Sequence, residues 1–145
     1  MPRPYTSIVI NAPADAVWSY LRDFGNLNEW IPAVKTSEIE GGGPADQIGC
    51  VRRLELQDGA LIREALLALD DPERSYTYEF VESPFPVRSY RATIRVAPVT
   101  EGGQTFVEWW TWFDADAKDE EQLTTTFGRD VFAASLAALR KRFEG

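Results

Sequence analysis

The 145-residue sequence predicts a single α+β domain: a curved antiparallel sheet of seven strands with one long helix against its concave face. Three observations lead there. Seven short β-rich runs lie between Tyr5 and Phe113, several of them joined by strong turn signals. Before the last segment, helical spacing appears only between the first run and the second. The chain then closes on a helical stretch, residues 117–143, acidic at its start and basic at its end. A domain of this size buries roughly 68–70% of its unfolded surface, enough for a core and a pocket.

The first strand is YTSIVI, residues 5–10. NAPADAVWSYLRDF follows as a helix. Pro13 suits the first helical position, Asp15 sits in the first turn, and Val17, Tyr20, Leu21 and Phe24 recur at helical spacing. GNLNEWIP, residues 25–32, reads as a second, short helix ended by Pro32. VKTSEIE (34–40) is the second strand and GGGPAD an open turn. IGCVRRLEL (48–56) is the third strand, and Asp58-Gly59 is a two-residue hairpin signal. ALIREALLAL (60–69) has helical propensity, because Ala and Leu favour helices. The hairpin before it and the DDPER turn after it argue for a fourth strand instead. SYTYEFVE (75–82) is the fifth, SPFPV a loop, and RSYRATIRVAPV (88–99) the sixth. TEGGQ turns the chain into the seventh, TFVEWWTWF, residues 105–113. The closing helix carries Asp119, Glu120 and Glu121 early and Arg140, Lys141 and Arg142 late, so both ends complement its dipole.

Composition narrows the function. Net charge is −8, from 23 acidic and 15 basic residues, which disfavours nucleic acid and anionic membrane surfaces as partners. There is no histidine and one cysteine, Cys50. That removes the commonest general base, the commonest transition-metal ligand and any disulfide framework. The expectation is no metal and no cofactor. No apolar run is long enough to span a membrane, and MPRPYTSIVI lacks the apolar segment of a signal peptide, so membrane insertion is not expected and the reading is cytoplasmic.

INAPADAVWSYLRDFGNLNEWIPAV resembles the opening of the START-like (SRPBCC) superfamily, in its bacterial polyketide cyclase and dehydratase branch. The shared features are a strand, Ala-Pro at the helix start, VW within the helix, DF at its end and W-x-P after it. GCVRRLELQDGALIREALLALDD is similar to that family's G-x-x-R … G … E-x-L … D pattern. The resemblance covers essentially the whole chain. It implies a helix-grip fold, a seven-stranded curved sheet around a long helix with two short helices after the first strand, and an internal cavity for lipids, hormones, aromatic metabolites or polyketides. A more distant similarity is to the plant abscisic-acid receptors. Their longer gate loop has only QDG opposite it here and their latch falls near FPV, so that receptor mechanism does not carry over.

Alternation then assigns faces. Arg52, Leu54 and Leu56 share one face of the third strand, and Ile62, Glu64, Leu66 and Ala68 one face of the fourth. Tyr78 and Phe80 oppose the solvent-like Thr77 and Glu79; Tyr90, Ala92, Ile94 and Val96 oppose Arg91 and Arg95. On the seventh strand both faces are apolar and pattern alone does not choose. The family resemblance places Phe106, Glu108, Trp110 and Trp112 inward; the rival face is Val107, Trp109, Thr111 and Phe113. Leu123, Phe127, Val131 and Ser135 recur along the closing helix and would face the cavity, with Trp30 adding contact area. Arg52, Glu64, Tyr90 and Glu108 would supply polar groups on neighbouring strands; a plain structural Arg52–Glu64 pair is the rival.

The leading expectation is binding of a small hydrophobic molecule, an aromatic or alicyclic metabolite or a lipid-like one. The alternative is a polyketide cyclase or dehydratase type of enzyme, with Glu64 or Glu108 as base and Tyr90 or Arg52 polarising a carbonyl. A third reading, compatible with either, is a homodimer or docking surface on the outer face of the seventh strand through Trp109 and Phe113.

Overall fold

The computed structural model describes residues 1–145. It opens with strand β1 (Tyr5–Ile10) and helices α1 (Ala14–Leu21) and α2 (Leu27–Trp30). Six strands follow: β2 (Val34–Ile39), β3 (Val51–Leu56), β4 (Leu61–Asp70), β5 (Ser75–Glu82), β6 (Val87–Pro98) and β7 (Thr105–Ala115). The chain closes on a helix of 28 residues. It is built from α3 (Ala117–Thr125), a π-helical stretch (Thr126–Ala133) and α4 (Ala134–Glu144). The strands form one antiparallel sheet in the order β1-β7-β6-β5-β4-β3-β2.

α1 stops at Leu21, short of the Phe24 that spacing suggests. Asp23 accepts a hydrogen bond from the Gly25 backbone N–H at 2.9 Å, a local turn that competes with another helical turn. Phe24 is nonetheless fully buried. β4 is a strand despite its Ala and Leu, because it pairs with β3 on one side and β5 on the other. Burial between two strands overrides helix propensity. Gly59 supports the hairpin before it with a φ of +88°. A register shift between Leu66 and Ala68 turns Ala68 outward, against the simple alternation, and sets Leu69 opposite Tyr76.

The π stretch was not foreseen. Phe127 and Phe132 are five residues apart and both fully buried, which suits the wider i→i+5 turn. The Thr6 hydroxyl donates to the Gly128 carbonyl at 2.7 Å, tying this stretch to β1. One part of the concave side is filled by Trp18, Phe24 and Tyr76, whose rings lie 5.5–6.5 Å apart. Beyond Tyr78 the filling is incomplete.

Candidate functional site

A cavity of about 90 Å3, the space open to the centre of a water-sized sphere, lies between the sheet and the closing helix. At the ~15 Å3 of such space that one water needs, it has room for roughly half a dozen waters. β3 and β4 contribute Leu54, Leu56, Ile62 and Glu64; β5 and β6 contribute Tyr78, Phe80 and Tyr90. The π stretch contributes Phe127 and Val131. All nine were expected from alternation and helical spacing. Glu64 is the only charged residue on the wall.

Arg52 stands behind the wall rather than on it. It is fully buried, its Nε donating to Glu64 Oε1 at 2.6 Å. Its Nη1 donates to the Phe24 carbonyl at 3.2 Å and to the Tyr76 hydroxyl at 3.3 Å. The guanidinium also sits over the rings of Phe24 at 3.9 Å and Tyr78 at 4.6 Å. Burial works against its charge, but Glu64 and the neighbouring tyrosines outweigh that and raise its pKa. Burial also pushes the Glu64 carboxyl up, and Arg52 opposes the rise without cancelling it. No protein donor reaches Glu64 Oε2, although the residue is almost wholly buried. Tyr78 accepts a hydrogen bond from Trp109 Nε1 at 3.1 Å, and its own hydroxyl is hydrogen-bonded to that of Tyr90. Burial raises the Tyr78 phenol well above its ordinary value, and burial with the Glu64 charge raises that of Tyr90. Both hydroxyls are hydrogen-bond donors, not anions.

β7 turns the other way from the family-based expectation. Val107, Trp109, Thr111 and Phe113 are buried, whereas Phe106, Glu108 and Trp110 are half-buried and Trp112 is 47% exposed on the outer face. The pairing with β6 decides it, because directly opposed residues share a face. Tyr90 pairs with Phe113, Ala92 with Thr111 and Ile94 with Trp109. Trp109 stacks on Phe132 with centroids 4.4 Å apart and lines the cavity. Glu108 therefore leaves the site. It accepts from the Tyr5 hydroxyl at 2.8 Å and lies 3.4 Å from Arg95. Trp110 stacks on Tyr5, and the Arg3 guanidinium covers Tyr5, Trp110 and Trp112 at 5.2–5.5 Å. The outer face thus carries Trp110 and Trp112; Trp109 and Phe113, the residues expected to mediate docking, are interior.

Three further expectations shift. Trp30 is buried but packs against Trp109 at 5.8 Å, off the cavity wall. Ala92 and Ser135 are buried in the core and do not reach the cavity. The wall also contains Leu27, Ile31, Ala33, Val34 and Phe85, which strand alternation could not find. Leu27 and Ile31 were discoverable: they lie four apart, at the start of α2 and just past its end, a spacing that marks one side of a short helix. Phe85 had a weaker signal, an aromatic ring held between two prolines in a loop. Phe80, Phe85 and Tyr90 also line a surface groove beside β5 and β6, so these rings separate the cavity from solvent. No three Cys, Asp or Glu side chains gather in a way that could hold a metal ion. No helix is long and apolar enough to cross a membrane. Burial raises the Cys50 thiol, which disfavours the reactive thiolate.

Comparison with known proteins identifies the scaffold. Residues 1–144 match the family described as polyketide cyclase / dehydrase and lipid transport. The protein XoxI from Bacillus cereus is 33% identical over 99% of this chain and 96% of its own, with a TM-score of 0.87. The Zhui aromatase/cyclase from Streptomyces sp. R1128 is 20% identical, with 99% and 93% coverage and a TM-score of 0.81. Ginseng major latex-like protein 151 from Panax ginseng is 16% identical, with 99% and 98% coverage and a TM-score of 0.81. The last two likenesses are of fold. This chain belongs to the polyketide cyclase / dehydrase and lipid transport family, and its fold is the helix grip.

Proposed function

We propose, with membership of that family as the premise, that this protein binds one small, largely apolar molecule in the cavity between the sheet and the closing helix. The observation that carries the reading is a hydrophobic wall interrupted by a single carboxylate, Glu64, with Tyr78 and Tyr90 beside it. Ligand sites commonly combine an apolar lining with a few convergent polar groups. Phe85 supports a route of entry. Its loop lies between β5 and β6, and its ring packs edge-on against Phe127 at 5.1 Å. Swinging that ring outward would join the cavity to the surface groove. The test is titration with an apolar fluorescent probe, comparing wild type with Val131→Phe, which fills the cavity from the helix side. Saturable binding by wild type, lost in the filled variant, is the expected result. Equal binding by both would place the probe elsewhere and remove the basis of the reading.

A second reading, proton transfer on a bound polyketide-like substrate, draws on one specific feature. Glu64 has an oxygen without a protein donor and a carboxyl pKa raised by burial, the properties of a poised acid or base. Glu108, the other candidate base, is outside the cavity. Turnover of a linear poly-β-keto substrate by wild type, lost in a Glu64→Gln variant that still binds it, is the result that favours the enzyme.

A further inference from the structure

Resting on the cavity-binding reading, we infer that the cavity takes a hydrocarbon: an uncharged molecule of about one ring with no hydrogen-bonding group. Alcohols, phenols, ketones and acids of the same shape are disfavoured. Fourteen of the fifteen wall residues are hydrophobic, and virtually all of the surface that borders the cavity is carbon. Four wall residues, Glu64, Tyr78, Tyr90 and Trp109, carry polar side-chain atoms, and these turn away into the protein. Trp109 Nε1 donates to the Tyr78 hydroxyl at 3.1 Å. The Tyr78 hydroxyl is bonded to that of Tyr90, which also meets Thr111. Glu64 Oε1 accepts from Arg52 Nε at 2.6 Å. What these four residues show to the cavity is ring and methylene carbon.

Two buried donors near the cavity lack a partner, Arg52 Nη2 and Trp30 Nε1, but neither residue is on the wall. The Arg52 guanidinium is enclosed by the rings of Phe24 and Tyr78 and by the Glu64 carboxylate, and a ligand in the cavity does not meet it while those groups keep their places. Arg52 and Glu64 together sum to zero, so an incoming anion would be buried without a counter-charge. A hydroxyl or carbonyl would leave its water and find no partner, which is the costly arrangement. A hydrocarbon gives up no hydrogen bond and gains the burial of its surface. Apolar cavities of this kind stay dry and take up benzene or xenon. The space of about 90 Å3 is that open to a sphere's centre, so the wall stands roughly 1.4 Å further out, which leaves room for about one ring. A poly-β-keto chain, with its row of carbonyl acceptors, falls on the disfavoured side, which sets a hydrocarbon site against the proton-transfer reading.

The experiment measures the affinities of toluene, phenol and benzoate for the whole chain by calorimetry. Toluene and phenol have nearly the same shape, so methyl against hydroxyl isolates the polar cost. Wild type should bind toluene about 10–100-fold more tightly than phenol, the range for a hydroxyl buried without a partner. Benzoate should show no saturable binding, and Val131→Phe should abolish the binding of toluene. Phenol or benzoate that matches toluene in wild type would overturn the inference and leave the cavity reading standing. So would toluene that fails to bind while the apolar fluorescent probe binds. Toluene binding kept in Val131→Phe would overturn the inference by placing toluene elsewhere. Failure of toluene, phenol and the fluorescent probe together would overturn the cavity reading and the hydrocarbon class with it. The wild-type series fixes the order of affinities even if the variant does not fold.

Discussion

Two arginine–glutamate pairs stand on opposite sides of one sheet, and nearly the same residue types do different things in each. Arg52 and Glu64, on β3 and β4, meet at 2.6 Å with almost no solvent contact, surrounded by Phe24, Tyr76 and Tyr78. Arg95 and Glu108, on β6 and β7, meet at 3.4 Å on the outer face, beside Tyr5 and Trp110. The outer pair keeps its hydration and is screened by solvent, so its net contribution is small. The inner pair has given up its water, which makes each member dependent on the other. Sequence reasoning put both glutamates on one face. The difference shows that an Arg–Glu motif has no fixed meaning until its solvent is known.

The contrast breaks most sharply at the arginines. Arg52→Ala should cost about 3–5 kcal/mol in unfolding free energy, because it strands a buried carboxylate. Arg95→Ala should cost less than about 1 kcal/mol by the same denaturant titration. Equal losses would mean that the inner pair is solvated in solution. The tryptophans of β7 should divide in the same way. Trp109→Ala removes a ring packed on Phe132 and Trp30 and should cost about 3–5 kcal/mol. Trp112→Ala, at an exposed position, should stay within about 0.5 kcal/mol and leave apolar-probe binding unchanged. The reverse order would restore the opposite face of β7 to the interior.

A smaller effect tests whether the inner pair is retained for a purpose other than stability. Replacing both partners by apolar residues, Arg52→Met with Glu64→Leu, should regain most of what Arg52→Ala loses, since buried ion pairs are often no better than hydrophobic packing. A double variant as unstable as the single one would make the pair a structural necessity. The smallest effect is in pH dependence, where Glu64 and Asp71 should run in opposite directions. Glu64 is raised by burial, so its contribution is full below the ordinary carboxylate range and is lost as pH climbs through the folded value. The stability of wild type relative to Glu64→Gln should therefore fall as pH rises from about 4. Asp71 is held low by hydrogen bonds from Arg22 and Trp18, so its contribution is present above the ordinary range and lost on acidification. Wild type relative to Asp71→Asn should gain stability over the same rise. Unfolding curves of the three proteins between pH 3 and 7 would check both signs.

The sequence by itself determined the order of elements, the seven strands, the closing helix and, except on β4 beyond Leu66, the set of residues that share each strand face. Those follow from local rules: side chains alternate every second residue in a strand, and turns demand Gly, Asp or Pro at particular places. It also sufficed where one face was plainly polar, as on β5 and β6, and there the expected inward residues Tyr78, Phe80, Tyr90 and Ala92 do point inward. Tertiary structure decided what alternation leaves two-valued. β7 is apolar on both faces, and its choice came from pairing with β6, closed by the Val99 N–H to the Gln104 carbonyl at 2.8 Å, which sets Ile94 against Trp109. The bulge after Leu66 turned Ala68 out, because one extra residue reverses every side chain beyond it. The helix and loop residues of the cavity wall, Leu27, Ile31 and Phe85, come from segments with no strand period to read. The same holds for the position of Arg52 behind Glu64 and not beside it. Which of two paired side chains meets the cavity depends on packing across the sheet, from Phe24 on a turn 28 residues earlier, and no local pattern in β3 or β4 contains that distance.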